Sequence, residues 1–386
     1  MSDEKIFLLK CIQCDATFFT EGERNFYKKK GLHTPKRCKS CREKRKAQLE
    51  QKRQKQELNH VLANLQFEQV EEIEMQSADH NTVLYIIGNG FDLMHGVPSS
   101  YYHFRDSMGR HNELRKTLEM YIRKEDLWAD FEESLAYLDN EAMLVTLNDW
   151  MDIFDVKEQH DDDFSAADFF MAEEAAMSPT YTIMDELPKN FRKWVASLKP
   201  TNSNTPLKQV INTKAKFINF NYTEFLETIY EVPKRSIFYI HGERRDKNKE
   251  LILGHSDIDN HEINLDPSNF KSNQLRMKNQ TTYDLHATAG YQLGNYYSST
   301  AKKSSDVIEA NQTTFMAYKD IEIVVVIGHS LSIVDYPYFK EIIRKNKKSS
   351  NMKWFVSWYS ADDIKRIDAF AKNLGIKSKQ IKLFKT

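Results

Sequence analysis

The stretch that most limits what this chain can become is VLYIIG, residues 83–88. Six uncharged, mostly apolar residues ended by a glycine suit a strand buried on both faces, as in a parallel sheet, and not a half-exposed antiparallel strand. Four more stretches read the same way: KFINFNY (216–222), FYIHGE (238–243), IEIVVVIGHS (321–330) and KWFVSWYS (353–360). Helical patterns such as TEFLETIYE and YPYFKEIIRKNKK lie between them. This alternation predicts an α/β fold, a Rossmann-like parallel sheet with helices on both faces. Residues 104–200 read as a mostly helical insertion, clearest at LWADFEESLAYLD (127–139), and GNYYSSTAKKSSDVIEANQ (294–312) as a flexible surface loop.

Ligands of such sheets sit beyond the carboxyl ends of the strands. Those ends carry Gly88-Asn89-Gly90-Phe91-Asp92, then Asn219 to Thr223, then His241-Gly242, then Gly328-His329-Ser330 with Asp335 shortly after. Gly88-x-Gly90 is either a turn that packs strand against helix or one whose free amides receive a phosphate. His241, with an ordinary pKa of about 6.5, suits proton transfer near neutrality, or else satisfies a backbone carbonyl at a strand end. On a helix, Trp128, Phe131 and Leu135 share a face and Glu132 flanks it. Its carboxylate either enters a pocket as an acid/base or forms a helix salt bridge. The triplet Gly-His-Ser occurs at 254–256 and 328–330. It is not G-x-S-x-G, which excludes a hydrolase nucleophile elbow. His95, His255 and His329 with Asp92, Glu132 and Asp335 offer an alternative, the metal centre of a nuclease. Asp161, Asp162 and Asp163 read as a solvated acidic run in preference to a cation site.

All four cysteines, Cys11, Cys14, Cys38 and Cys41, fall within 31 residues as C-x2-C-x23-C-x2-C. Two such knuckles match a closed, structural four-thiolate zinc site; two disulfides or four free thiols are the alternatives. The N-terminus has no secretory pattern and no apolar run approaches the roughly 20 residues of a membrane span, so zinc and a cytoplasmic location are expected, with no membrane partner. A Gly- and Pro-free, charged stretch from Arg42 to Gln76 reads as a helix. The expected organisation is a zinc ribbon at 1–46, a charged helical linker at 47–81 and the α/β domain at 82–386. The net charge of −1 hides an asymmetry: residues 1–60 hold 16 Lys and Arg against 8 Asp and Glu. The basic end is either a surface for a polyanion or protein partner or simply solvated charge.

KCIQCDATFFTEGERNFYKKKGLHTPKRCKSCREKRK resembles the probable zinc-ribbon family of small bacterial modules, through Phe18-Phe19, Glu23, Phe26-Tyr27, Gly31, Pro35-Lys36-Arg37 and the Cys-Lys-Ser-Cys-Arg knuckle. YIIGNGFDLMHGVPSSYYHF, LWADFEESL, FINFNYTEFLETIY, IFYIHGE, LILGHS and VVVIGHSLSIVDYPYFKEI, in that order, resemble the bacteriophage abortive-infection AbiH family. That resemblance implies a role in defence against phage. A more distant likeness is to sirtuin-like nucleotide-binding domains, through Gly88 to Asp92, Asn219 to Thr223 and His241-Gly242. It implies NAD or a related nucleotide as substrate. Gly88, Gly90 and Asp92 would bind the nucleotide, with Asn89, Phe91, Tyr222 and Thr223 in the same turns; apart from the resemblance, the Gly328-His329-Ser330 turn offers an imidazole and a hydroxyl to its phosphate or ribose, and Asp335 is expected to face the same place. Asn221 would position the ribose or water, His241 would be the general base, and Glu132 would assist. This chain has Tyr222-Thr223 where those relatives carry Tyr-Asp. The reading is a defence effector that cleaves a nucleotide. A metal-dependent nuclease and a non-catalytic nucleotide sensor that recruits partners through the ribbon stand beside it, and a homo-oligomer is compatible with each.

Overall fold

A computed structural model of the chain describes residues 9–18, 21–71, 73–75, 77–143, 145–147, 149, 166–201, 204–256 and 280–386. Asp161, Asp162 and Asp163 lie outside the described residues. The chain divides into two compact units, Met1–Gln66 with Ser360–Lys365, and Phe67–Tyr359 with Arg366–Thr386.

In the smaller unit, strands β1 (Leu9–Lys10) and β2 (Thr17–Phe18) pair antiparallel around a tight turn. The turn closes through Cys11 N–H to Ala16 O at 2.9 Å and Asp15 N–H to Cys11 O at 3.0 Å. Helix α1 (Glu21–Lys29) follows, and α2 (Lys39–Ala63) begins directly at the second knuckle. The expected charged helix is therefore present, but it ends at Ala63, where the Asn64 side-chain amide donates to His60 O at 2.9 Å. Past that point Phe67, Ile73 and Met75 are buried, and Glu68–Gln69 forms an edge strand, β3. The apolar residues of that segment are drawn into the larger unit, and packing overrides its helical composition.

The larger unit is built on a seven-stranded sheet whose pairings are all parallel. After β3 the strands are β4 (Val83–Ile87), β5 (Lys216–Asn219), β6 (Ile237–Tyr239), β7 (Ile323–Ile327), β8 (Lys353–Trp358) and β9 (Ile381–Lys385), in the order 3-9-8-7-4-5-6. From β4 the chain winds first toward β6 and then, from β7, toward β9. This is the Rossmann-like doubly wound arrangement, with its switch point between β4 and β7. Every side chain of β4 is fully buried, as are those of Val324 to Ile327 in β7, which is why neither strand alternates polar and apolar. Tyr85 belongs there because its hydroxyl donates to Val210 O at 2.7 Å and accepts from Asn212 N–H at 2.9 Å. β9 escaped the sequence reading because IKLFK carries two lysines and lacks the continuous apolar run of the other buried strands.

Between β4 and β5 run α3 (Asn89–Met94), α4 (Tyr101–Met108), α5 (Glu113–Tyr121), α6 (Phe131–Ser134) and α7 (Ala166–Ser197). Phe104, Trp128, Phe131, Phe191 and Trp194 pack their rings together there, with Trp128 and Phe131 stacked at 5.2 Å. Helix α8 (Phe225–Tyr230) follows β5. The stretch 294–312, expected as a surface loop, is mostly helical: α9 (Gln280–Thr300) and α10 (Ser304–Ala310). Leu293, Tyr296 and Thr300 follow helical spacing and are buried, and Tyr296 donates its hydroxyl to Leu135 O at 2.8 Å. Helices α11 (Gln312–Met316), α12 (Tyr336–Lys345) and α13 (Ala361–Leu374) lie further along the chain. No described helix is long and apolar enough to cross a membrane.

Candidate functional site

The four cysteine sulfurs all lie within 4.8 Å of one another, and none is in a disulfide. A tetrahedral zinc with bonds of about 2.3 Å spaces its sulfurs about 3.8 Å apart. The Cys14 and Cys38 sulfurs are 3.7 Å apart. Cys11 and Cys14 flank the β-hairpin turn, and Cys38 and Cys41 open α2. Four thiolates complete the coordination, so the ion's role here is structural.

In the larger unit the strand-end residues converge at the switch point. Gly88 and Gly90 meet the β7 turn backbone to backbone: Gly88 N–H donates to Ile327 O at 2.9 Å and Gly90 N–H to Gly328 O at 2.7 Å. A Cβ on Gly88 would stand 2.4 Å from His329 Cα, and one on Gly90 would stand 2.7 Å from Gly328 Cα. These amides thus join two turns, and the glycines exist to permit that contact. Phe91 is a core ring against His95 and Tyr230, and Asn89 and Ser330 are exposed.

Asp92 ties the same turn to β5. One oxygen accepts from the Thr223 hydroxyl at 2.6 Å, the other from the Asn221 amide at 3.0 Å, and that amide also donates to Gly88 O at 3.0 Å. Burial raises the Asp92 pKa to about 7, against the pull of the Thr223 and Asn221 hydrogen bonds. Asn221 is itself held by its N–H to Asn219 Oδ1 at 3.0 Å. Beside it, Arg244 grips Glu224 with two hydrogen bonds of 2.8 and 2.6 Å.

Next to this scaffold lies a buried ionic cluster. Lys302 Nζ, with its side chain fully buried, donates to Asp335 Oδ1 at 2.8 Å and to Glu132 Oε2 at 2.9 Å. His241 Nε2 stands 3.5 Å from Asp335 Oδ1 and makes no hydrogen bond. His329 Nε2 stands 3.5 Å from Asp335 Oδ2. The Phe220 ring meets both imidazoles edge-on, and the Tyr222 and Tyr338 rings close on His241. Burial holds both imidazoles neutral: it depresses His241, helped by the Lys302 charge, and takes His329 down to about 4 although Asp335 opposes it. Burial alone would raise Asp335, but the Lys302 ammonium keeps it ionised, well below the usual carboxylate range. Burial and the Glu132 charge push the Tyr101 hydroxyl well above its ordinary value. His329 Nδ1 accepts from Leu331 N–H at 2.9 Å, which places the proton on Nε2, toward Asp335. That bond holds Leu331 at φ 51°, a left-handed backbone uncommon for a residue other than glycine.

Of the residues expected from sequence, His241, Glu132, His329 and Asp335 are brought into one cluster, with Tyr222 against it. Asn221, Asp92, Thr223, Gly88, Gly90 and Gly328 form the scaffold beside it. His95 is apart, bonded to Phe91 O and Tyr230. Lys302, the centre of the cluster, was not anticipated. The other Gly-His-Ser segment delivers it: His255 N–H donates to Thr300 O at 3.0 Å and Lys302 N–H to His255 O at 2.8 Å. Gly254 allows this approach, since a Cβ there would fall 2.1 Å from Thr300 O.

A family model described as Bacteriophage abortive infection AbiH matches residues 84–358, and one described as Probable treble clef domain matches residues 7–50. The second agrees with a knuckle on a hairpin and a knuckle at a helix start. No curated protein and no solved structure matches the chain.

Proposed function

Because the chain belongs to the bacteriophage abortive infection AbiH family, its role lies in abortive infection, and we propose that its α/β unit acts there as a hydrolase of a dinucleotide of the NAD class. The observation that carries this reading is the cluster at the switch point: a lysine, two carboxylates and two neutral imidazoles, drawn from four separate parts of the chain and brought together where doubly wound sheets place their ligands. Such a set of perturbed titratable groups suits acid/base chemistry.

In this reading water attacks the anomeric carbon of the nicotinamide ribose. The N-glycosidic bond breaks, and neutral nicotinamide leaves with the bonding electron pair. His241, neutral and without a hydrogen bond at Nε2, takes the proton from water. Asp335, held ionised by Lys302, stabilises both the imidazolium that forms and the positive charge on the ribose. Asn221 and Asp92 fix the β4 and β5 turns against one another, and Glu132 fixes Lys302. The Lys302 ammonium fills the space between the two carboxylates. Among the described residues only the cysteines bring three or more metal-ligand atoms together. Both observations favour this reading over a metal-dependent nuclease.

The test is nicotinamide release from NAD by the full-length protein and by His241→Ala and Asp335→Asn. Release by the parent and a loss of 100-fold or more in each variant, about the size of a general acid–base contribution, supports the reading. NAD binding without release in the presence of phage components makes the protein a sensor. Magnesium-dependent cleavage of nucleic acid makes it a nuclease.

A further inference from the structure

The sequence left the basic N-terminal end as either a partner surface or solvated charge. The structure gives it a shape. A groove of about 630 Å³ runs along one face of α2, walled by the loop that precedes the helix. Arg42, Arg45, Lys46, Lys52 and Arg53 line it from the helix, and Lys36 and Arg37 from the loop. Glu50 is the one carboxylate in the lining, and it already accepts from Gln54 Nε2 at 3.5 Å. A solvated charged helix normally pairs its charges at i,i+4. None of these seven cations has an ion-pair partner among the described residues. Arg37 Nε is buried with no acceptor among the described residues.

We propose that this groove binds the phosphodiester backbone of a nucleic acid. From Arg42 to Gln56 the face is about 21 Å long at 1.5 Å per residue, which spans about six nucleotides at 3.4 Å per nucleotide of one strand. Guanidinium groups match phosphate oxygens bidentately, and Arg37 Nε gains the acceptor it lacks. The lining holds no aromatic ring on which a base could stack, and Leu49 is its one large apolar side chain. Recognition therefore runs through the backbone and tolerates sequence changes. The helix stripe and the loop are held together by Cys38 and Cys41, so zinc fixes the groove's shape. This surface is distinct from the hydrolytic cluster and does not depend on that reading.

The experiment measures fluorescence anisotropy of labelled RNA and DNA oligonucleotides of about 20 residues with the full-length, zinc-loaded protein at about 50 to 200 mM salt. Two variants of equal charge change separate the groove from bulk charge: Arg45→Glu/Arg53→Glu inside it, and Lys44→Glu/Lys55→Glu on the same helix outside the lining. Zinc content checks that each is folded. The expected result is binding by the parent, a loss of 10-fold or more in the groove variant with a salt slope smaller by about two, and less than about a 3-fold change in the outer variant. No binding by the parent to any of the oligonucleotides, or an equal loss in both variants, overturns the proposal.

Discussion

The two units use opposite routes to a fixed geometry. In the treble clef, four side chains close in sequence converge on one metal: among its described residues Cys11 and Cys41 are buried, while Phe26 and Leu32 lie exposed. In the α/β unit the ionic cluster is assembled from residues up to 203 positions apart, Glu132 to Asp335, and is held by a buried sheet. One is specified by spacing, the other by packing. That difference predicts how each should fail.

The largest effect belongs to the metal. Replacing Cys38 by Ser should abolish stoichiometric zinc binding and unfold the treble clef, because zinc supplies about 10–16 kcal/mol to such modules. All five tryptophans lie between residues 128 and 358. The tryptophan-monitored transition should therefore stay within a degree or two of the parent, while proteolysis cuts the N-terminal region. A matching collapse of the tryptophan signal would show that the units do not fold separately.

Next comes Lys302. Lys302→Ala leaves Asp335 and Glu132 buried without their cation, a loss of about 3–5 kcal/mol in the denaturation of the α/β unit. Lys302→Met/Asp335→Asn, which removes charge on both sides, should recover part of it. If the single and double variants were equally unstable, lost packing and not charge would be the cause.

This residue also marks where the sequence stopped being informative. The knuckles are legible because a metal needs its ligands at fixed short spacing. The strands of the switch point are legible because burial on both faces forbids alternation. His241 and Asp335 were visible as ionisable residues at or just past strand ends, and Glu132 as a carboxylate at the edge of an apolar helix face. Lys302 stands in SSTAKKSSD, whose composition reads as solvent-exposed, and nothing local shows that Gly254 and His255 draw it inward. The available signal was the helical spacing of Leu293, Tyr296 and Thr300 just before it. Likewise the glycines at 88 and 90 have the pattern of a phosphate loop. Their actual neighbour, the turn at Gly328, lies 238 residues from Gly90.

That close contact gives the third test. Gly88→Ala places a methyl 2.4 Å from His329 Cα, where backbone must shift, and should cost about 1–3 kcal/mol. Asn89→Ala, on the exposed residue between the glycines, should stay within about 0.5 kcal/mol. Were Gly88→Ala neutral in the free protein yet defective toward nucleotide, the glycine would serve the ligand and not the fold.

The smallest effect is the pH dependence of the buried cluster and its scaffold, because buried groups in them oppose one another. His329 is depressed to about 4 in the folded protein, against about 6.5 when unfolded. Between those values the unfolded chain binds more protons, so this group's contribution is lost as pH falls from 6.5 toward 4. Asp92 is raised to about 7, above its unfolded value of about 3.9, so the folded chain binds the extra proton and this group adds stability as pH falls below 7. His241, depressed by burial as well, acts in the same direction as His329, so the parent's tryptophan-monitored profile from pH 7 to 5.5 sets the two imidazoles against Asp92. Removing one should expose the other. His329→Gln should gain stability relative to the parent as pH falls, and Asp92→Asn should lose it, each by about 1 kcal/mol at pH 5.5. Parallel profiles in all three proteins would mean that water reaches these groups and that neither group is held as the packing implies. The cysteine site supplies the contrast, since acid there protonates zinc ligands and should release the metal without any change in tryptophan signal.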